Sequence, residues 1–476
     1  MASNKSEWRS DMPLDLQFFK AVIPEAVFLG NQTVPDLGRI TVDSRQLQKG
    51  DVFVALPGNR VDGHDYIKEA VARGAIGLIL HADKKDCLKQ IDATTLKKLF
   101  VALVPSSYDT LVRLATAWRA QFTCPIIGIT GSIGKTSTKE LLSNILKINK
   151  NTFIASHGNQ NTALGISINM LRLRPEHEFA IFEMGISKRG EMARMSEIVR
   201  PTIAVITTIA HSHMEGLGSL ADIAHEKRDI FKFFKPDNIG VIHGDMPILA
   251  QISYTHPIVK FGCKTTNQIQ ARKIQANNAT TQLVLKLYKD KFRLTLDTNH
   301  MGRVINALAA SAVAHLLAIP SAVIIAGIQA PVAISGRFEQ AALKADKGII
   351  INDCYNANPE SMKAALLAFE KVESKGQKIA VLGDMLELGV NSPFWHRQLG
   401  RFLRKVPSLS HVVLVGDYVK WTKATIPVGL TCEHVPNWEA ATDSLKKRLD
   451  REAVILVKGS RGMALSNLVH ELAEPK

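Results

Sequence analysis

A chain of 476 residues with 46% apolar side chains has material for several cores, and its length alone suggests about three domains. Five cysteines, Cys87, Cys124, Cys263, Cys354 and Cys432, lack the C-x-x-C spacing of a zinc site and form no disulfide framework, which points to a reducing, cytoplasmic setting. The net charge of +15 is spread over dispersed lysines and arginines with no basic run interleaved with aromatics, which argues for a solvated surface or a polyanionic small substrate and against nucleic acid.

The opening MASNKSEWRSDMPLDL has no continuous apolar segment and does not resemble a secretory signal. Residues 37 to 104 then alternate strand-like runs (RITV, DVFVAL, IGLIL) with one helical stretch, YIKEAVARG, closed by Gly74. A small N-terminal α/β domain over residues 1–122 is predicted. From Cys124 onward, PIIGIT, NTFIA, FAIFEMG and TIAVITTI are apolar strands separated by helical segments, which predicts a mainly parallel sheet covered by helices in a central domain, 123–335. TQLVLKLYKDKFRLTLD alternates around Lys289-Asp290 and predicts a hairpin appended to that sheet. No Asp, Glu, Lys or Arg occurs between Arg303 and Arg337. Asn306, His315 and the breaks at Pro320 and Pro331 nevertheless favour two buried helices over stable membrane insertion. Past Gly336-Arg337, the runs KGIIIND, KIAVLGD, HVVLVGD and AVILVKG predict a doubly wound, Rossmann-like domain, 336–476, with its ligand crevice at the strand carboxyl ends.

GITGSIGKTSTK, residues 128–139, joins a strand to a helix through a glycine-rich turn, an arrangement that offers backbone N–H groups to phosphate oxygens. Gly128 and Gly134 are five residues apart where the common phosphate loop has four, but Gly134-Lys135-Thr136 is intact. Backbone groups from Gly131 to Lys135 are expected to cradle phosphates, Lys135 to neutralise them, and Thr136 to offer its hydroxyl to Mg²⁺. Glu183, after the strand FAIF, is either the acidic residue that holds the metal or an exposed strand-terminal glutamate. HSHMEG carries His211, His213 and Glu215 at the next strand end, where a histidine serves structure or ligation.

In SLADIAHEKRDIFKFF the stripe Leu220, Ile223, Ile230, Phe231 and Phe234 includes Lys227 on the same helical face. Burying an ammonium is costly, so Lys227 either snorkels or carries a lowered pKa, and a neutral amine can combine with CO₂ to give a carbamate. In DCYNANPESM, capping accounts for Asn358 and Pro359 but not for Asp353 and Asn356 in the same turn. Lys458-Gly459-Ser460-Arg461 suits a carboxylate or phosphate, or is a solvated turn.

Taken in order, TVDSR with GDVFVALPG and DGH, GITGSIGKTSTK, HGNQN, FEMG with RGEM, HMEGLGS with EKRDIF, INALAA, GRFE, DCYNANPESM, VLGDMLELG and VKGSRG resemble the motifs of the Mur ligases of peptidoglycan synthesis. The resemblance runs from about residue 40 to 465, and DCYNANPESM and LGDMLELG are most like the branch that adds D-alanyl-D-alanine. It implies a monomeric, three-domain ATP-dependent enzyme that binds a UDP-sugar in the first domain, ATP in the second and the incoming amine in the third. The implied substrates are UDP-N-acetylmuramoyl-tripeptide and D-alanyl-D-alanine, joined through an acyl phosphate, with one or two magnesium ions.

The resemblance further implies that Ser44 and Arg45 lie at the uridine nucleotide and that Gly131, Ser132, Ile133, Gly134, Lys135, Thr136 and Ser137 hold ATP phosphates. Thr136 and Glu183 would face magnesium, His213 a second metal, and Lys227 would be carbamylated. Asn306 would approach adenine, Arg337 the phosphates, and Asp353, Asn356 and Asn358 the reacting centre. The chain departs from the pattern at Thr208, where Asn is usual, at Ser187-Lys188, where Asn-His is usual, and in HMGRVIN, which lacks a clean His-Asn before Asn306. Rival readings are a folylpolyglutamate-type or other Mur ligase with another amine, or a nucleic-acid-dependent ATPase.

Overall fold

A computed structural model describes residues 14–33, 36–58, 61–277, 279–332, 334–346, 348–449 and 452–474. Three sheets succeed one another along the chain, of five, nine and six strands. The first runs Val27–Gly30, Phe100–Val104, Gly77–His81, Val52–Val54, Ile40–Thr41, parallel except for the first pair. Two of these strands, Val27–Gly30 and Phe100–Val104, were not among the runs expected in this domain. Phe100 sits in an aromatic cluster, its ring 5.8 Å from Phe19 and 6.0 Å from Phe28. Phe100→Ala is expected to cost the N-terminal domain about 3–5 kcal/mol, read as an earlier transition for that domain in denaturant unfolding.

The nine-stranded sheet is parallel from Phe153–Ala155 through Phe179–Glu183, Ile126–Thr130, Ile203–Ile206, Ile239–His243 and Ile258–Gly262 to Ile269–Ala276. Thr281–Leu287 and Asp290–Leu296 complete it antiparallel, as a hairpin. The hairpin turns at Tyr288-Lys289, one residue before the expected Lys289-Asp290, and Tyr288 takes the left-handed conformation the turn needs. Ile126–Thr130 is buried at every position because both faces are covered, as its unbroken apolar run requires. Ile127 and Ile129 pack with Leu142, Ile145, Ala309 and Val313, while Ile126 faces Ile198 and Ile206.

The uncharged stretch forms Met301–Leu316 and Ser321–Gln329, two helices that pack on the helix Lys135–Ile148. Alanine and glycine dominate because the approach is close: a Cβ on Gly327 would collide with Ile145. Among the described residues no helix is long and apolar enough to cross a membrane.

The last sheet runs Glu339–Ala342, Gly348–Asn352, Ala453–Lys458, Lys378–Gly383, His411–Val415, Thr431–Val435, parallel except at the first strand. Helices such as Pro359–Glu370 and Trp438–Arg448 enclose cores on both faces of this doubly wound sheet. Asn358 caps Pro359–Glu370 through a reciprocal box with Ser361, as the Asn-Pro start anticipates.

Candidate active site

The glycine-rich loop leaves the middle strand of three whose carboxyl ends lie side by side, Phe179–Glu183, Ile126–Thr130 and Ile203–Ile206. Gly131 and Gly134 have φ of 146° and 91°. A Cβ on Gly131 would overlap Thr207 Oγ1, and one on Gly134 would overlap Asn306 Oδ1, so both glycines are required by shape as well as by backbone conformation. Thr207 Oγ1 lies 3.1 Å from the Thr130 carbonyl and 2.7 Å from that of Ile133.

The free donors differ from those expected. The N–H groups of Ser132 and Ile133 donate to the Thr208 carbonyl at 2.7 and 3.3 Å, because the end of the neighbouring strand closes against the loop. The N–H groups of Gly134, Lys135, Thr136 and Ser137 find no acceptor among the described residues. These are the orphan donors of the helix Lys135–Ile148, where the helix dipole favours an anion.

Lys135 is partly buried at the edge of the loop, and its ammonium donates to the Gly131 carbonyl at 2.8 Å. Burial lowers its pKa, with the Glu183 carboxylate opposing that shift and Arg337 adding to it. Glu183 is 1% exposed. Its Oε1 accepts from Asn161 Nδ2 at 3.1 Å, whereas Oε2 has no hydrogen-bond partner, and neither does Thr136 Oγ1. A buried carboxylate oxygen and a hydroxyl left unpaired beside a lysine-bearing anion site are the donors a magnesium–phosphate complex uses. Among the described residues no cluster of three His, Cys, Asp or Glu side chains forms a cage, so an ion there would need phosphate oxygens and water to complete its shell.

Lys227 does not snorkel: it is 1% exposed, and no carboxylate forms an ion pair with it among the described residues. Burial first, and the charge of Lys135 second, hold its amine well below the usual ammonium range, against the weaker pull of Glu226. The helix that carries it ends at Arg228, so Ile230 and Phe231 of the expected stripe lie on a following 3₁₀ turn.

A cleft of about 320 Å³ opens where the C-terminal domain faces this loop. Ser132, Ile133, Lys135, Glu183 and His213 line it from the central domain. Arg337, Tyr355, Asn356, Asn358, Glu387, Ser460 and Arg461 line it from the C-terminal domain. The Arg337 guanidinium lies over the Tyr355 ring at 4.0 Å. Asp353 stands behind this wall, where its carboxylate accepts from Lys458 at 2.7 Å and from the Phe338 N–H at 3.1 Å. Ser44 and Arg45 stay in the N-terminal domain outside the cleft lining. Ser44 Oγ donates to Glu69 at 3.3 Å, and the Arg45 guanidinium, 82% exposed, pairs with Asp43.

Three families match the chain: Mur ligase family, catalytic domain, over residues 37–102; Mur ligase middle domain over 129–314; and Mur ligase, glutamate ligase domain, over 336–461. The chain belongs to the Mur ligase family. A UDP-N-acetylmuramoyl-tripeptide--D-alanyl-D-alanine ligase from Rickettsia prowazekii is 33% identical, covering 90% of this chain and 94% of the relative. A crystal structure of MurF from Acinetobacter baumannii matches with a TM-score of 0.82 at 27% identity, covering 97% of this chain and 99% of that one. MurF ligase from Thermotoga maritima, solved in complex with ADP, matches with a TM-score of 0.76 at 28% identity, covering 91% and 96%.

This Mur ligase also has a second cavity, of about 360 Å³, lined by Leu141, Thr298, Asn299, Arg303, Arg337 and Phe338. Arg337 borders both spaces. Asn306 abuts Gly134 of the phosphate loop. Tyr355, Glu387, Asn299 and Arg303 were not nominated from the sequence. For Tyr355 the signal was present, since it lies inside DCYNANPESM next to Asn356.

Proposed function

We propose that this Mur ligase joins D-alanyl-D-alanine to UDP-N-acetylmuramoyl-tripeptide with the hydrolysis of ATP to ADP and phosphate. The observation that carries the reading is that Lys135 and Glu183, whose Oε2 is unpaired, line one cleft bounded by the C-terminal domain, directly beside the unpaired Thr136 hydroxyl and the free N–H groups that open the helix Lys135–Ile148. The names of the long-range relatives supply the substrates.

In the proposed reaction, an oxygen of the tripeptide's terminal carboxylate attacks the γ-phosphorus of ATP and ADP leaves, giving an acyl phosphate. Gly134 to Ser137 hold the phosphates through their N–H groups, and the Lys135 ammonium neutralises charge on the transferring group. The amino group of D-alanyl-D-alanine then attacks the acyl carbon, the tetrahedral intermediate loses its proton and collapses, and inorganic phosphate departs. Magnesium held by Thr136 and Glu183, with a second ion at His213 and carbamylated Lys227, would supply further charge neutralisation. The Lys227 carbamate forms when the neutral amine attacks CO₂ and releases a proton, turning a buried cation site into an anion. The cavity beside Arg337 suits the nucleoside of ATP, Ser44 and Arg45 the uridine nucleotide, and Asn356, Asn358 and Arg461 the incoming dipeptide. Domains 1–122, 123–335 and 336–476 then each bring one reactant.

The test is ADP release from the purified protein. Release is expected only when tripeptide precursor and D-alanyl-D-alanine are both present, with no response to DNA or RNA. Release driven by nucleic acid, or by either co-substrate alone at full rate, would contradict the reading.

A further inference from the structure

The segment that follows the strand Ile203–Ile206 crosses to the C-terminal domain and is gripped there at both of its histidines. His211 donates its backbone N–H to Glu360 Oε2 at 3.2 Å, its ring pairs with the same carboxylate, and that ring lies 4.4 Å from Trp395. His213 pairs through Nδ1 with the Glu387 carboxylate, and the Glu215 N–H donates to the Glu387 carbonyl at 3.2 Å. Glu387 therefore holds this segment with both its side chain and its backbone. His213 has φ of 55° and Glu387 of 62°, a conformation that non-glycine residues adopt sparsely and that persists where neighbours over-determine it.

Ordinary packing between domains does not need two strained residues facing each other across the boundary. His213 lines the same cleft as Lys135, Glu183 and Arg337. The ion-pair contact of the Glu387 carboxylate with Nδ1 limits how the His213 ring can turn and so where Nε2 faces. We propose that Glu387 is a positioning residue for the ligase reaction: acting from the C-terminal domain, it fixes the His213 ring at the cleft, so that the ring is in place only while the two domains are docked. This rests on the reading of the cleft as the ligase centre.

The full-length protein carrying Glu387→Ala is expected to lose about tenfold to a hundredfold in kcat. Its KM for ATP should hold, since Lys135 and the N–H groups of Gly134 to Ser137 are untouched. Glu387→Gln keeps the length and shape of the side chain and an oxygen against the ring, and should recover part of the loss, which separates positioning from a failure to fold. In a His213→Ala background, adding Glu387→Ala should cost nothing further. A second readout needs no turnover: fluorescence energy transfer between dyes on the central and C-terminal domains, with a non-hydrolysable ATP analogue bound. There Glu387→Ala and His213→Ala should reduce the docked fraction equally, and the double variant no more. Wild-type kcat in Glu387→Ala, additive losses in the double variant, or an unchanged docked fraction would overturn the inference. A wild type that releases no ADP with all reactants present would sink the ligase reading, while the energy-transfer arm would still decide the role of Glu387.

Discussion

Lys135→Ala is expected to lower turnover on the order of a thousandfold or more, measured as ADP release with both co-substrates. The ammonium is partly buried, tethered to the Gly131 carbonyl at 2.8 Å, and lines the same cleft as the Glu183 carboxylate. Charge in a partly desolvated cleft interacts more strongly than it would in water, and a fixed ammonium needs no reorganisation when a phosphoryl group moves. Lys135→Arg should rescue little, because a planar guanidinium does not fit a point-charge site that closes on a backbone carbonyl. A Lys135→Ala protein that is folded and turns over at near-normal rate would contradict the assignment.

Lys227→Ala should lose activity on the order of a hundredfold and regain part of it with a short added carboxylic acid such as acetate or formate. An isolated ammonium out of water costs several kcal/mol, and with Lys135 as an electrostatic neighbour the Lys227 amine is driven toward its neutral form. A neutral amine is the form that takes up CO₂, and the resulting carbamate would sit favourably with the Lys135 ammonium as its electrostatic neighbour. Acid rescue reports on an anion at that position, since a packing defect alone would not respond to it. Mass spectrometry of the intact wild type under bicarbonate gives a check independent of activity. A folded Lys227→Ala protein that no small acid revives would count against the carbamate.

How far the site could be read in advance depended on whether its geometry is local. The phosphate loop was legible because a tight strand-to-helix turn needs glycines at fixed positions and the chemistry needs Lys135 and Thr136 directly after them. Glu183 was legible as the residue at a strand's carboxyl end, though only its burial separates a binding carboxylate from an exposed one. For Lys227 the helical stripe left two outcomes open, and enclosure by the folded domain decided between them.

Other features have no local pattern. That Thr208 occupies two loop N–H groups, or that Thr207 fills the space a side chain at Gly131 would take, follows from pairing between strands distant in sequence. Glu360 and Glu387 belong to another domain altogether. Asp353 was nominated for its place in a polar turn, and the fold spends its carboxylate on Lys458 and the Phe338 N–H. The three-sheet architecture was largely visible because continuous apolar runs mark buried parallel strands. Short or half-exposed strands, Val27–Gly30 and Thr431–Val435, carry no such run and escaped, while Phe100–Val104 escaped although it is apolar and buried throughout.

The central claim is that ATP makes a carboxylate electrophilic by phosphorylating it. The most direct measurement uses UDP-N-acetylmuramoyl-tripeptide labelled with ¹⁸O in its terminal carboxylate, turned over with ATP and D-alanyl-D-alanine. One labelled oxygen is expected in the inorganic phosphate released and the other in the new amide. Phosphate that carries no label while the amide forms would show that no acyl phosphate precedes it.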